Sequence, residues 1–245
     1  HGDKVMGVDK GYTEAFTDSQ GQHHGESFGQ VLTAYSHQVS ATGKARNRLH
    51  ALEKKHRAAG RIAKAERIRA NNLGKKKQVA RRQRTQQHLR TIAYQAAHTI
   101  MDEAALLASE DLTQPIAGKV QWRDYNRRMS HWAKGVLAQA LDEVSQQRGT
   151  RHDIVNAAYT SQMDSITGRL EGERRGDKFY RANGDVIQAD VNAARNVLAR
   201  LDDPDITRYM PHGEVKRILL GRFSGATERQ EARVVCQHGM STGCG

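Results

Sequence analysis

The chain has 245 residues, of which 37% are apolar, so it can bury a sizeable core and is not composed like a disordered protein. Lys and Arg outnumber Asp and Glu by 39 to 27, giving a formal charge of +12 that favours polyanionic partners. The two cysteines exclude a disulfide framework, and no apolar run approaches the roughly 18 residues of a membrane span.

The N-terminal residues predict three short strands. Residues 4–8 form an apolar run ending at Asp9, residues 12–17 alternate apolar and polar side chains, and a turn at 18–21 leads to a third strand near 24–28. Asp9 then lies at a strand end, on the edge of the sheet where α/β proteins usually place their sites. An Asp in this position is also typical of a plain turn.

Two helical stretches follow, residues 31–71 and 75–108, separated by a break at Asn71-Asn72-Leu73-Gly74. Positions 44–90, called the basic segment below, hold 17 Lys or Arg and two Glu, so the rest of the chain sums to −3. Few acids are present to form i,i+4 pairs, and mutual repulsion therefore favours an anionic partner. The alternative is a solvated helix face without a partner. The residues expected to bind nucleic acid are Lys44, Arg46, Arg48, Lys54, Lys55, Arg57 and Arg61.

The middle of the chain repeats the arrangement seen at Asp9. Residues 104–109 predict a buried strand with Glu110 at its end, although such an acid also suits a simple exit to the surface. A helix over 122–147 stops at Gly149, and residues 153–155 predict a further strand.

Asp190 opens a short Ala-rich helix after a polar, loop-rich region at 156–184. The simplest interpretation of an Asp in this place is a helix N-cap. Residues 215–222 predict a final helix, and both cysteines, Cys236 and Cys244, follow it.

Together, Asp9, Glu110 and Asp190 form the set of carboxylates that two-metal phosphoryl chemistry requires. Mg²⁺ prefers hard oxygen ligands, and two ions about 3.5 to 4 Å apart can activate water and stabilise the leaving oxygen. No Walker-type Gly-rich loop and no Ser-His-Asp order competes with this interpretation. The sequence therefore predicts metal-dependent cleavage of a phosphodiester backbone. The alternative is a nucleic-acid-binding module without turnover, in which the acids are caps and turns.

Four motifs, in this order, resemble the split RuvC nuclease of transposon-encoded TnpB proteins and type V CRISPR effectors. They are Gly7-Val8-Asp9-Lys10-Gly11, Glu110-Asp111-Leu112, Tyr159-Thr160-Ser161-Gln162 and Asp190-Val191-Asn192-Ala193-Ala194-Arg195-Asn196. The resemblance covers residues 4 to about 200 and implies an α/β fold. That fold has an RNase H-like mixed sheet with flanking helices, a basic helical insertion and a small ribbon-like insertion.

The resemblance also implies a function. Asp9, Glu110 and Asp190 become catalytic ligands of two Mg²⁺ ions, with Mn²⁺ able to substitute, and the basic helix becomes similar to the bridging helix that contacts guide RNA. The partners are then a guide RNA and a target DNA whose sequence is chosen by base pairing. We expect a prokaryotic cytoplasmic protein, from which the family's N-terminal recognition domains are missing.

The resemblance divides the chain into six parts. They are RuvC part I at 1–35, a basic bridging helix and helical hairpin at 36–103, RuvC part II at 104–156, a ribbon-like insertion at 157–188, RuvC part III at 189–201, and a C-terminal helix and flexible tail at 202–245.

One departure concerns the insertion, which in the family usually holds two CxxC pairs around zinc. The matching positions here are Asp164, Thr167, Tyr180 and Asn183, so no zinc is expected. We expect a metal-free hairpin that leaves Arg174 or Arg175 available to a phosphate. Some related branches use the same carboxylates to trim precursor guide RNA, and others bind target without cutting it. Both remain alternatives to DNA cleavage.

Overall fold

The computed structural model describes residues 2–112 and 131–222. Within these parts, no helix combines the length and the apolar character needed to cross a membrane. The elements in chain order are β1 Lys4–Lys10, β2 Phe16–Asp18, β3 His23–His24, α1 Ser27–Ala58, α2 Ile62–Asn72, α3 Lys76–Glu103, β4 Ala104–Glu110, α4 His131–Arg148, β5 Arg151–Val155, β6 Glu173–Arg175, β7 Lys178–Tyr180, β8 Val186–Gln188, α5 Ala189–Leu201 and α6 at 212–222.

The main sheet is mixed and has five strands in the order β3-β2-β1-β4-β5. β1 pairs in parallel with β4, which pairs in parallel with β5, whereas β2 and β3 form an antiparallel meander on the other side of β1. The carboxyl ends of the three parallel strands therefore meet at one edge. The predicted α/β class is confirmed, and Asp9 and Glu110 lie at this edge.

One face of the sheet carries the main hydrophobic core. Met6, Val8 and Leu107 are almost fully buried there against the start of α1, the second half of α3, and α4. The predicted apolar face of the helix before Gly149 is confirmed, because Val136 and the residues at helical spacing after it are buried. The basic segment contributes little to this core: within it, the buried residues are His56, Ala65 and Leu89.

The opposite face is covered by α5, and Gly7 allows this close approach. A Cβ atom at Gly7 would lie 2.6 Å from the backbone nitrogen of Leu198 and 2.7 Å from its Cβ atom. Ala108, Val155 and Val197 complete a small apolar cluster under the helix. Because side chains alternate along a strand, Asp9 shares the face of Gly7, and Glu110 shares the face of Ala108. Both acids therefore point toward the side of the sheet where α5 begins.

Several predicted elements needed correction. The third strand is only His23–His24, because Gly25 adopts a left-handed φ of +71° and α1 already starts at Ser27. The second strand is Phe16–Asp18, so residues 12–15 are not part of it. The helix expected over 31–71 is two helices, because Gly60 at φ +71° follows the C-cap of α1 and ends that helix.

The helix expected over 75–108 ends at Glu103, since Ala104 begins the strand that pairs with β1. The buried strand predicted over 104–109 is confirmed and includes Glu110 as its last residue. The predicted break at 71–74 and the helix stop at Gly149, with a φ of +66°, are also confirmed. Residues 122–130 of the helix predicted over 122–147, and both cysteines, lie outside the described residues.

The insertion between β5 and α5 forms a second, three-stranded antiparallel sheet in the order β6-β7-β8. A buried ion pair joins the residues before β6 to those after β7, since Arg181 Nε lies 2.9 Å from Asp164 Oδ2. Asp164 is 1% exposed and also accepts a hydrogen bond from the backbone of Ile166. Helix α6 packs Val215 and Leu219 against Met163.

Replacing Gly7 with Ala should destabilise the fold by about 1 to 3 kcal/mol, because the new methyl group collides with the backbone of α5. The measurement is the free energy of unfolding in urea. Gly135→Ala is the matched control, since Gly135 lies within α4 and an added Cβ meets no atom within 4 Å. That change should stabilise by about 0.5 to 1 kcal/mol. A Gly7→Ala protein as stable as the wild type would contradict the close contact.

Candidate functional site

The first two acids of the predicted site are brought together by strand pairing. Val8 is opposite Ser109 in the parallel β1–β4 ladder, so Asp9 and Glu110 are neighbours at the end of it. Asp9 is 9% exposed and Glu110 is 7% exposed, so both carboxyl groups are largely removed from water.

Asp190 reaches the same place from α5, and the N-cap interpretation of this residue is wrong. The cap is Gln188, whose side chain accepts a 2.6 Å hydrogen bond from the backbone nitrogen of Val191. Asp190 lies in the first turn of the helix, where a negative charge is favourable next to the helix dipole. Its carboxylate is thus free of the capping role and can act on the neighbouring acids.

Electrostatics show that the three acids form one cluster. The pKa of Asp9 is raised well above its ordinary value of 3.8, first by burial and then by the negative charges of Glu110 and Asp190. Burial also raises the pKa of Glu110, against the opposing effects of a hydrogen bond from Thr160 and the positive charge of Lys10. Asp9 and Glu110 are therefore harder to ionise in the folded protein than in water.

Lys10 provides a buried positive charge on the other face of the sheet. Its Nζ atom donates to the backbone oxygen of Glu110 at 2.5 Å and to Ser109 Oγ at 3.3 Å. Burial lowers the pKa of Lys10 to about 8. Ser109 Oγ also lies 2.9 Å from Nε2 of His152, whose pKa burial lowers to about 4. Lys10 thus holds the backbone of Glu110 from the face of the sheet opposite the carboxylates.

Arg174, on β6, holds Asp190. Its Nη2 atom lies 2.6 Å from Asp190 Oδ1, and Gln188 Nε2 donates to the other carboxylate oxygen at 3.3 Å. The Arg174 side chain is 35% exposed, so this pair contributes about 0 to 1 kcal/mol and can be exchanged at small cost. Arg175 is not part of the cluster, because it pairs with Glu173 at 2.6 Å. Of the two predicted phosphate ligands, Arg174 alone lies beside a predicted catalytic acid.

The predicted nucleic-acid ligands of the basic segment are separate from this cluster. Three of them have partners within the protein: Arg46 donates to the backbone oxygens of residues 73 and 74, Arg57 pairs with Glu53, and Arg61 donates to His56 Nδ1. The other four are exposed and form no ion pair with a described acid; they are Lys44, Arg48, Lys54 and Lys55. These four present their charge to solvent on α1.

The donor set of the cluster fits a divalent cation. Carboxylate oxygens are the hard ligands that Mg²⁺ prefers, and the pKa of Asp9 is raised first by burial and then by the negative charges of Glu110 and Asp190, which a cation would offset. As placed, no group of three or more His, Cys, Asp or Glu side chains within 2–112 and 131–222 is arranged to hold a metal ion. Loading a cation through Asp190 Oδ1 would require Arg174 to leave that oxygen.

Several residues that shape the cluster were missed by sequence reasoning. Gln188, Lys10 and Thr160 contact the acids or their backbone, and the motif that contains Thr160 was assigned no role from the sequence. For Lys10 the sequence contained a signal: an ionisable side chain next to Asp9, at the end of an apolar strand, indicates a buried charge with a partner. The Thr160 contact offered none, since it joins residues 50 positions apart.

Neither a protein-family model nor a curated protein sequence matches the chain. Among solved structures, it is similar to C2c1 from Alicyclobacillus acidoterrestris in complex with single-guide RNA, with 19% identity and a TM-score of 0.35. The similarity covers 48% of this chain and 16% of that one, so the chain spans under a fifth of that protein's length.

Replacing Asp9 with Asn should stabilise the metal-free protein by about 0.5 to 2 kcal/mol at neutral pH. The pKa of Asp9 is higher in the folded protein than in the unfolded protein. Below pH 3.8 the carboxyl is protonated in both states and does not lower the free energy of unfolding. As pH rises through the folded pKa, the cost of ionising Asp9 in the folded state lowers that free energy. The gain from Asn should therefore be absent in acid and grow with pH. Unfolding free energies in EDTA between about pH 4 and pH 9 measure it.

Asp18→Asn is the matched control for this experiment. Asp18 is also buried, at 1% exposed, but its pKa is lowered: burial alone would raise it, and the hydrogen bonds from His24 and two backbone nitrogens outweigh that effect. Its replacement should destabilise the protein at neutral pH. Equal effects of the two changes, or a loss of stability from Asp9→Asn, would contradict the carboxylate cluster.

Proposed function

We propose that this chain is the RuvC-type nuclease part of an RNA-guided effector. It hydrolyses phosphodiester bonds of target DNA as a metal-dependent endonuclease. The observation that carries the proposal is that Asp9, Glu110 and Asp190, which come from three distant segments, lie close enough together for the charges of Glu110 and Asp190 to raise the pKa of Asp9. An isolated turn residue, surface exit and helix cap would have no reason to meet in this way.

In the proposed reaction, Asp9, Glu110 and Asp190 hold two Mg²⁺ ions, which when bound supply Lewis acidity to the attacking water and the leaving oxygen. Arg174 leaves Asp190 and pairs with a phosphate oxygen of the strand, a contact that suits a guanidinium. Lys10 keeps positive charge behind the acids. The products are a 5′-phosphate and a 3′-hydroxyl.

The fold supports the proposal through its sheet. A mixed sheet with β1 at its centre joins the ends of β1 and β4, and an Ala-rich helix lies directly on them. We infer that this is an RNase H-like sheet and that the six parts assigned from the resemblance are its RuvC segments and insertions. We include in the same proposal the N-terminal recognition domains that the resemblance implies.

The basic segment supports a nucleic-acid partner. Its helices bury few side chains, and Lys44, Arg48, Lys54 and Lys55 are exposed and form no ion pair with a described acid. Such a surface neutralises phosphates and releases counterions, which makes binding depend steeply on salt. We propose guide RNA as the partner of this surface, and an unpaired target strand as the substrate of the carboxylates.

The second candidate is a nucleic-acid-binding protein without turnover, or one that trims precursor guide RNA instead of cutting DNA. One observation favours the inactive form: in the parts of the chain that the structure describes, the acids are not arranged around a metal position, and Arg174 holds Asp190. A permanent Arg174–Asp190 pair would leave binding intact and prevent metal loading.

Asp9→Ala should abolish metal-dependent cleavage and leave nucleic-acid binding nearly unchanged. The loss should be at least about 10³-fold, because removing one member of a cooperating catalytic set removes most of the rate. The measurement uses labelled single-stranded DNA and RNA with Mg²⁺ or Mn²⁺, with the chain alone and within its guide-RNA complex. Cleavage of RNA but not DNA would favour guide trimming.

Lys54→Gln is the control that separates binding from chemistry. It should weaken RNA binding and reduce the slope of log affinity against log salt by about one, while bound substrate is cut at the wild-type rate. A wild-type chain that binds with steep salt dependence and never cuts in either metal would contradict the nuclease proposal and support the binding module.

A further inference from the structure

The motif Tyr159-Thr160-Ser161-Gln162 has no role in the function proposed so far, and Thr160 lies directly beside the carboxylates. Thr160 is 2% exposed, and its hydroxyl group donates a hydrogen bond to Glu110 Oε1. The Thr160 hydroxyl oxygen also lies 3.0 Å from the backbone oxygen of Ala157. A hydroxyl group has a single hydrogen, so it can donate to Glu110 or to Ala157, but not to both.

The loop that carries Thr160 is held by two asparagines of α5. Asn196 Nδ2 donates to the backbone oxygens of Thr160 at 2.8 Å and Met163 at 2.6 Å. Asn192 Nδ2 donates to the same Met163 oxygen at 2.7 Å, and Asn192 Oδ1 accepts from the backbone of Ser165 at 2.8 Å. Both asparagines are fully buried. Buried amides that find partners in this way specify one position of the loop.

The backbone just before Thr160 has an uncommon conformation. Tyr159 is the one non-glycine residue in 2–112 and 131–222 with a positive φ, at 66°. A bulky side chain rarely adopts this conformation unless its surroundings enforce it. The Tyr159 ring packs on His212 with ring centres 4.1 Å apart, which holds the residue from its outer side. The turn at Tyr159 thus directs the Thr160 hydroxyl group inward.

We propose that Thr160 is a positioning residue for Glu110, and that Asn196 sets Thr160 from the helix that also carries Asp190. Through this connection, α5 fixes the orientation of two of the three carboxylates relative to each other. The inference rests on the proposed function and deepens it, since metal ligands act only when they are held close to the coordinating geometry.

A purely structural role would make a different prediction. If Thr160 only fills space in the loop, its methyl group matters, and replacing the hydroxyl group by a methyl group of similar volume has little effect. If the hydroxyl group orients Glu110, then Ser, which keeps the hydroxyl group, should function, and Val, which keeps the shape, should not. The pair Thr160→Val and Thr160→Ser therefore separates the two roles.

The experiment compares the full chain with the variants Thr160→Val and Thr160→Ser. Thr99→Val is the matched control, because the Thr99 hydroxyl group donates to Gln95 on α3, far from the acids. Three quantities are measured: Mn²⁺ affinity by calorimetry, metal-dependent cleavage rate and the temperature of unfolding. Thr160→Val should lower the Mn²⁺ affinity and the rate by about 10- to 100-fold, with an unfolding temperature close to that of the wild type. Thr160→Ser and Thr99→Val should remain within about threefold of the wild type.

Two outcomes overturn the inference alone: a Thr160→Val protein with wild-type Mn²⁺ affinity, or Thr160→Ser impaired as strongly as Thr160→Val. If Thr160→Val does not fold, Thr160→Ala replaces it and is compared with Thr160→Ser by the same criterion. A wild-type chain that neither binds Mn²⁺ nor cuts nucleic acid overturns the proposed function and the inference with it. The wild-type measurement therefore distinguishes the two failures.

Discussion

Repulsion among three neighbouring carboxylates, of which Asp9 and Glu110 are buried, is the constraint on which the rest of this structure depends. Asp9, Glu110 and Asp190 lie close enough together that the charges of two raise the pKa of the third. Burying carboxylates without compensating positive charge is costly, and the protein places two positively charged side chains beside them. The guanidinium group of Arg174 and the buried ammonium group of Lys10 each lower the pKa of Asp9 and so oppose the effect of burial.

The fold holds this cluster through close packing at its centre. Because Gly7 has no side chain, α5 lies directly on β1, and the start of the helix is brought to the strand ends. Gln188 caps that helix, so the Asp190 carboxylate is not used as its cap. From the same helix, Asn196 reaches the loop whose Thr160 holds Glu110. The helix that covers the sheet therefore also organises the acids, while the basic segment stays outside the core.

The sequence was informative where signals are local and failed where they are not. The strand ends at Asp9 and Glu110 follow apolar runs, so the elements carrying both acids were predictable from nearby residues. The break at Gly60 was missed because charged helix formers surround it on both sides and the pattern does not change there. The Arg174–Asp190 pair and the Thr160–Glu110 bond depend on the position of a whole insertion. No periodicity within either segment encodes them.

The central claim is that three remote acids share cations beside a scissile strand, and the most direct measurement is a crystal structure grown with Mn²⁺ and examined by anomalous scattering. The account predicts anomalous peaks in coordination contact with oxygens of Asp9, Glu110 and Asp190, and an Arg174 that has left Asp190. At saturating Mn²⁺, a structure with no peak among these acids and with Arg174 still bound to Asp190 would contradict it.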